Sequence, residues 1–201
     1  MIIIGLCGSS GSGKGYVGDL FLKYGVARID TDRVYREICL LSEPCIRELT
    51  DYFGKGILVN GRVDKRALAN MVFEGEGSFE RLNKLNEITH KYIRKETDAL
   101  IERYEKEGAK AVLVDAPVLF ESGFDKMCHY TICVLSPIEE KIQRIISRDK
   151  ITREKAYARL SSQMSEKELL EKCTYAIDNS GKKDVDSQVI SILKDLNIGK
   201  V

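Results

Sequence analysis

Gly8-Ser9-Ser10-Gly11-Ser12-Gly13-Lys14 spaces its end residues as Gly-x-x-x-x-Gly-Lys. That spacing suits phosphate chemistry. Glycines let successive backbone N–H groups turn inward around phosphate oxygens with no Cβ in the way. Lys14 would set a point charge near the β- and γ-phosphates of a nucleotide, and a helix beginning there would add its partial positive charge. The next position usually supplies a hydroxyl to Mg²⁺; here it is Gly15. Alone, the motif could be a glycine-rich turn with an exposed lysine. Its context points to nucleotide binding: the apolar run Ile2 to Cys7 before it reads as a buried strand, and Val17, Leu20, Phe21 and Tyr24 after it recur at helical spacing.

Acidic residues stand where further strands end. Gly25 to Asp30 reads as a second strand and Lys110 to Asp115 as a third. In open parallel sheets ligands sit beyond the carboxyl ends of the strands, so Asp30 and Asp32 are expected to face the same crevice as the loop. Asp32 could cap the helix that follows it or act as a base, and Arg36 lies one turn beyond it on the same face. Asp115 has the placement of a residue that holds a metal-bound water. Between Arg144 and Arg159 lie Arg144, Arg148, Lys150, Arg153, Lys155 and Arg159. These are either a solvated helix surface or a mobile lid that brings guanidinium groups to a phosphate chain; the loop at Gly8 favours the lid.

The elements that must position these groups follow from pattern. His129 to Val134 reads as a fourth strand and Cys173 to Asn179 as a fifth. Ser136-Pro137-Ile138-Glu139 reads as a helix start with Ser136 as cap, and Ser165 to Glu168 as a capping box. From Ser42 to Gly108 nothing reads as sheet. Asp64 is a plausible cap; Leu68, Met71 and Val72, then Leu82, Leu85 and Ile88, mark apolar helical stripes, and a further helix is expected from Ile88 to Glu107. This stretch is expected to be a helical insertion of a size to form a substrate lobe. His90, within it, could be structural or functional.

The chain has 201 residues, 43% hydrophobic and 31% charged, with net charge +1. That suits one core with small appended lobes and gives no bulk electrostatic case for nucleic acid or an anionic membrane. No apolar run is long enough to span a bilayer, and no charged-then-apolar leader precedes the first strand, so a cytoplasmic protein is expected. Six cysteines form no C-x-x-C pair; Cys7 and Cys133 fall in predicted core strands, which points to reduced, buried thiols.

Together these pieces resemble the dephospho-coenzyme A kinase family. The resemblance rests on Gly8 with Gly11-Ser12-Gly13-Lys14, Ile29-Asp30-x-Asp32-x-x-x-Arg36, Phe53-Gly54, Leu82-Asn83 through His90, Pro117 to Glu121, Gln143-Arg144-x-x-x-Arg148, Gln163 and Ile177-Asp178-Asn179. It implies an α/β fold: a P-loop kinase-like three-layer core with a five-stranded parallel sheet, a helical substrate lobe and a helical lid. The core would comprise 1–34, 109–140 and 169–201, the acceptor lobe 35–108 and the lid 141–168.

The resemblance further implies ATP as phosphoryl donor, Mg²⁺, and dephospho-coenzyme A as the small-molecule partner of a monomer. Asp32 would be the base for the ribose 3′-hydroxyl, Lys14 would bind the donor phosphates and Arg144 the phosphoryl group in transit. Gly8, Gly11, Ser12, Gly13, Gly15, Tyr16, Arg148 and Asn179 would complete the donor site; Arg36, His90 and Glu121 would serve the acceptor. Two positions depart from the family pattern: Gly15 stands for the hydroxyl residue, and Lys91 for the proline usual after the histidine. A kinase of another nucleotide or nucleoside, and a nucleotide-binding protein that has lost turnover, remain as alternative readings.

Overall fold

The computed structural model describes residues 1–198. The chain divides into two compact units, Met1–Ile29 with the segment from Arg103 onward, and Asp30–Glu102.

The first unit is built on a parallel sheet. Its strands β1 (Ile2–Cys7), β2 (Ala27–Asp30), β5 (Ala111–Asp115), β6 (Tyr130–Leu135) and β7 (Tyr175–Asp178) are ordered β2-β5-β1-β6-β7, numbering the two strands of the other unit β3 and β4. β1 pairs in parallel with β5 and β6, and β6 with β7. The five-stranded sheet expected from sequence is thus present, with β1 at its centre. The chain leaves β1 toward β2 on one side and leaves its neighbour β6 toward β7 on the other, so the loop after β1 lies at the switch point of the sheet, the usual place for a ligand. Alternation along β1 sends Ile4 and Leu6 to a face packed by Val17 and Phe21 of α1 (Lys14–Lys23) and by Val189 and Leu193 of α9 (Val185–Asp195). Gly5 and Cys7 point to the other face. A Cβ on Gly5 would fall 2.8 Å from Leu119, and the Sγ of Cys7 lies 3.6 Å from that of Cys173.

α6 (Ile138–Asp149) and α7 (Arg153–Ser161) pack on each other through Ile142, Ile145 and Ala156. α8 (Glu166–Lys172) begins with the expected capping box: the Ser165 hydroxyl accepts from the Glu168 N–H while the Glu168 carboxylate accepts from the Ser165 N–H. Ser136 is not the cap expected of it. Pro137 holds the cap position of α6, while the Ser136 hydroxyl donates to Glu140 and accepts from Arg144. The site claims this serine.

The second unit carries α2 (Thr31–Leu41), α3 (Glu43–Phe53), α4 (Lys65–Phe73) and α5 (Ser78–Lys106), with Asp64 capping α4 as expected. It also contains sheet, contrary to the expectation from sequence. β3 (Leu58–Val59) and β4 (Arg62–Val63) pair antiparallel around Asn60-Gly61, both at positive φ (51° and 74°). Asn-Gly is the dipeptide that a two-residue hairpin turn with left-handed backbone at both positions prefers. The Leu82-Leu85-Ile88 stripe and the helix expected from Ile88 are one continuous element, α5, of 29 residues. At Lys91, a proline would remove an N–H and clash with the preceding turn; with lysine the helix runs through, and the ammonium pairs with Glu48. Among the described residues no helix is long and apolar enough to cross a membrane.

Candidate active site

The loop from Gly8 to Gly13 is held by side chains that arrive from distant parts of its unit. Lys141 Nζ lies 3.3 Å from Ser9 Oγ and 2.7 Å from Glu166 Oε1. Gln163 engages Ser10 twice, accepting from its N–H at 2.9 Å and donating to its hydroxyl at 3.3 Å. Arg144 Nη1 donates to the Gly11 carbonyl at 3.0 Å, and Asn179 Nδ2 to the Ser12 carbonyl at 2.8 Å. Engaging these carbonyls turns acceptor dipoles away from where a phosphate would be repelled. Gly13 caps α1 with left-handed backbone (φ 92°) and offers no side-chain acceptor to the first-turn amides. The Ser12 hydroxyl is buried and without a hydrogen-bond partner. A cradle of amides, one orphaned buried hydroxyl and Lys14 is a donor set that fits a nucleotide's phosphates.

Two glycines at this site differ sharply in what they tolerate. Gly11 has φ 77°, and a Cβ on it would lie 2.6 Å from the Lys141 carbonyl oxygen. Gly11→Ala is therefore expected to cost about 2–3 kcal/mol of stability, from left-handed strain and displaced backbone, and to weaken ATP binding as well. Gly15 is helical, and a Cβ on it would have nothing within 4 Å. Gly15→Ala should melt at or above the wild-type temperature, so thermal melting of the two variants, with an ATP titration of each, checks the distinction.

Lys14 and Asp115 are an ion pair, and Asp115 is 1% exposed. The same carboxylate accepts from Arg28, through Nε at 3.1 Å and Nη2 at 2.5 Å. Arg144 is further tied to Glu140 at 2.8 Å, so its guanidinium spans α6 and the loop. Arg148 is turned onto Asp149 at 2.7 and 3.0 Å; that contact, with Arg159 beside it, holds the Asp149 carboxyl down to about 2. Glu121 lines a cleft together with Gly8, Ser9, Phe120 and Gln163. Tyr16 is 53% exposed on the first turn of α1.

The second unit holds the remaining residues. The carboxylate that caps α2 is Asp30, accepting from the N–H groups of Asp32 and Arg33 at 2.9 and 3.1 Å. Asp32 is thus not the cap; it sits in the first turn of α2. Arg36 Nε donates to the Asp32 carbonyl at 3.2 Å, in keeping with the one-turn spacing. His90 is half-buried on α5, and burial lowers its pKa, which favours the neutral imidazole at neutral pH.

Sequence reading missed Arg28 and Lys141. Each had a signal. Lys141 is a charge within the apolar stripe Ile138, Ile142, Ile145 and is 6% exposed. Arg28 interrupts a strand, and Gly18, a glycine on the buried stripe of α1, makes the room it occupies: a Cβ there would lie 2.6 Å from the guanidinium carbon.

The parallel sheet with a phosphate-binding loop after its central strand defines a kinase-like fold of the P-loop class. The family model for dephospho-CoA kinase matches residues 2–184, and the chain belongs to that family. A dephospho-CoA kinase of Lactobacillus johnsonii is 31% identical over 195 residues, covering 96% of this chain and 97% of its own. A crystal structure from Thermus thermophilus superposes with a TM-score of 0.83 at 32% identity, covering 98% of both chains. A dephospho-CoA kinase from Campylobacter jejuni superposes with a TM-score of 0.71 at 26% identity, covering 96% of both.

Proposed function

We propose that this chain transfers the γ-phosphoryl group of ATP to the ribose 3′-hydroxyl of dephospho-coenzyme A, giving coenzyme A and ADP. The observation that carries this reading is membership of the family over nearly the whole chain. In this reading Asp32 accepts the hydroxyl proton as the ribose oxygen bonds to the γ-phosphorus and the bond to ADP breaks. Lys14 and Arg144 offset the charge that develops on the phosphoryl oxygens, since such a transfer needs alignment and neutralisation more than covalent help. The loop and Tyr16 hold the donor, with Arg148 and Asn179 flanking it; Arg36, His90 and Glu121 serve the acceptor. Residues 35–108 form the acceptor lobe and 141–168 the lid, which excludes water when it closes. The test is ADP release in the presence of ATP and dephospho-coenzyme A, compared with AMP and adenosine as acceptors. Release with dephospho-coenzyme A alone supports the reading; preference for AMP or adenosine favours a different nucleotide or nucleoside kinase.

Mg²⁺ on the triphosphate neutralises phosphate charge when bound. Residues for anchoring it to the protein do not fit well: Gly15 has no hydroxyl, and Asp115 is already paired with Lys14 and Arg28. Among the described residues no group of three or more His, Cys, Asp or Glu could hold a metal ion. Gly15→Ser restores the hydroxyl at a helical position with open space around it. It is expected to lower the Mg²⁺ concentration for half-maximal rate at saturating ATP. An unchanged titration would mean that the missing hydroxyl is catalytically silent.

A further inference from the structure

We propose that Arg28 is the standing counter-charge of Asp115, freeing Lys14 to serve the nucleotide, and that ATP binding by this chain is for that reason nearly independent of Mg²⁺. The inference rests on nucleotide binding at the Gly8–Lys14 loop. Asp115 ends the strand beside β1 and is 1% exposed, so it cannot stand without a partner. In the structure its two oxygens are divided: Lys14 takes Oδ1 and Arg28 takes Oδ2 with two N–H groups. A lysine that turns toward phosphates weakens its bond to the carboxylate it leaves. Arg28 keeps its place beside Asp115, because its guanidinium also has partners on α1. Nη1 donates to Asp19 Oδ1 at 2.6 Å and to the Gly15 carbonyl at 3.4 Å, and the side chain is 18% exposed. Gly18 is part of the same device, since any Cβ there would collide with the guanidinium.

The consequence for the metal follows from charge. A carboxylate already bound by a planar guanidinium attracts a hydrated dication weakly, and Gly15 contributes no ligand. Mg²⁺ would then ride on the triphosphate without an anchor in the loop. Arg28 acts through Asp115 and Lys14, as a positioning residue.

Calorimetric titration of ATP, without acceptor, in Mg²⁺ and in EDTA tests this. For the wild type the two Kd values should agree within about threefold, which is small against the tenfold steps by which lost charge contacts are read. In Arg28→Met, Lys14 must stay with Asp115. ATP binding in EDTA should weaken about tenfold or more, and Mg²⁺ should recover it by taking the place of Lys14 at the Asp115 carboxylate. Arg28→Met with Asp115→Asn removes that carboxylate, and the Mg²⁺ dependence should vanish again. A merely structural role for Arg28 would weaken binding equally in both buffers, which would overturn the proposal. A wild-type Kd that differs more than about tenfold between the buffers overturns it without any variant. No ATP binding by the wild type in either buffer would overturn the reading of the loop itself, and this inference with it.

Discussion

Lys14→Ala is expected to lower kcat by about 10²–10³-fold or more, the scale on which removal of one preorganised charge donor acts. The fold should survive the change. Asp115 keeps both of its hydrogen bonds from Arg28, so truncating Lys14 does not strand a buried carboxylate. The loop retains Lys141, Gln163, Arg144 and Asn179 as its clamps. The loss should therefore fall on turnover, with a melting temperature close to wild type. Steady-state kinetics together with thermal melting separate the two. Near-wild-type kcat in a folded Lys14→Ala would remove the loop lysine from the mechanism.

Asp32→Asn should lower kcat by about 10²–10⁴-fold, the usual contribution of a general base, while ATP affinity stays within about threefold. Asparagine keeps the shape and loses the ability to accept the proton. Stability should change little, because the carboxylate that caps α2 belongs to Asp30 and not to Asp32. Presteady-state measurement of the chemical step and an ATP titration give both numbers. If ATP binding collapses while kcat at saturation survives, Asp32 belongs to the donor site and another group takes the proton.

The parts of this fold that are legible in the sequence are those with strong local signals. Ile2 to Cys7 is an uninterrupted apolar run and forms the central strand; Ser165 and Glu168, three apart, form a capping box. The hairpin at Leu58–Val63 is not legible because strands of two residues have no periodicity to read, although Asn60-Gly61 marks the turn. α5 reads as two stretches meeting at Ile88, because nothing in local spacing says that the Leu82-Leu85-Ile88 stripe and the helix after it share one axis. Ser136 reads as a cap from local spacing, but Arg144, eight residues on, claims its hydroxyl.

The same contrast holds at the site. The loop announces itself through glycine spacing, and Asp115 through a charge ending an apolar strand. Arg28 and Lys141 do not, because what makes them functional candidates is the partner brought to them by the sheet order: Asp115 across from β2, and Ser9 against α6. Adjacent placement of β2 and β5, with β1 next, is a tertiary outcome that no local pattern encodes.

The reaction itself is tested most directly by the identity of its product. The protein, ATP, Mg²⁺ and dephospho-coenzyme A are incubated together, the product is weighed by mass spectrometry, and its phosphate is located by phosphorus and proton NMR. The expected product has gained one phosphoryl group, placed on the ribose 3′-oxygen, with one ADP formed for each coenzyme A. A protein that binds ATP yet leaves dephospho-coenzyme A unchanged at every Mg²⁺ concentration, or that places the phosphate elsewhere, would contradict the assignment.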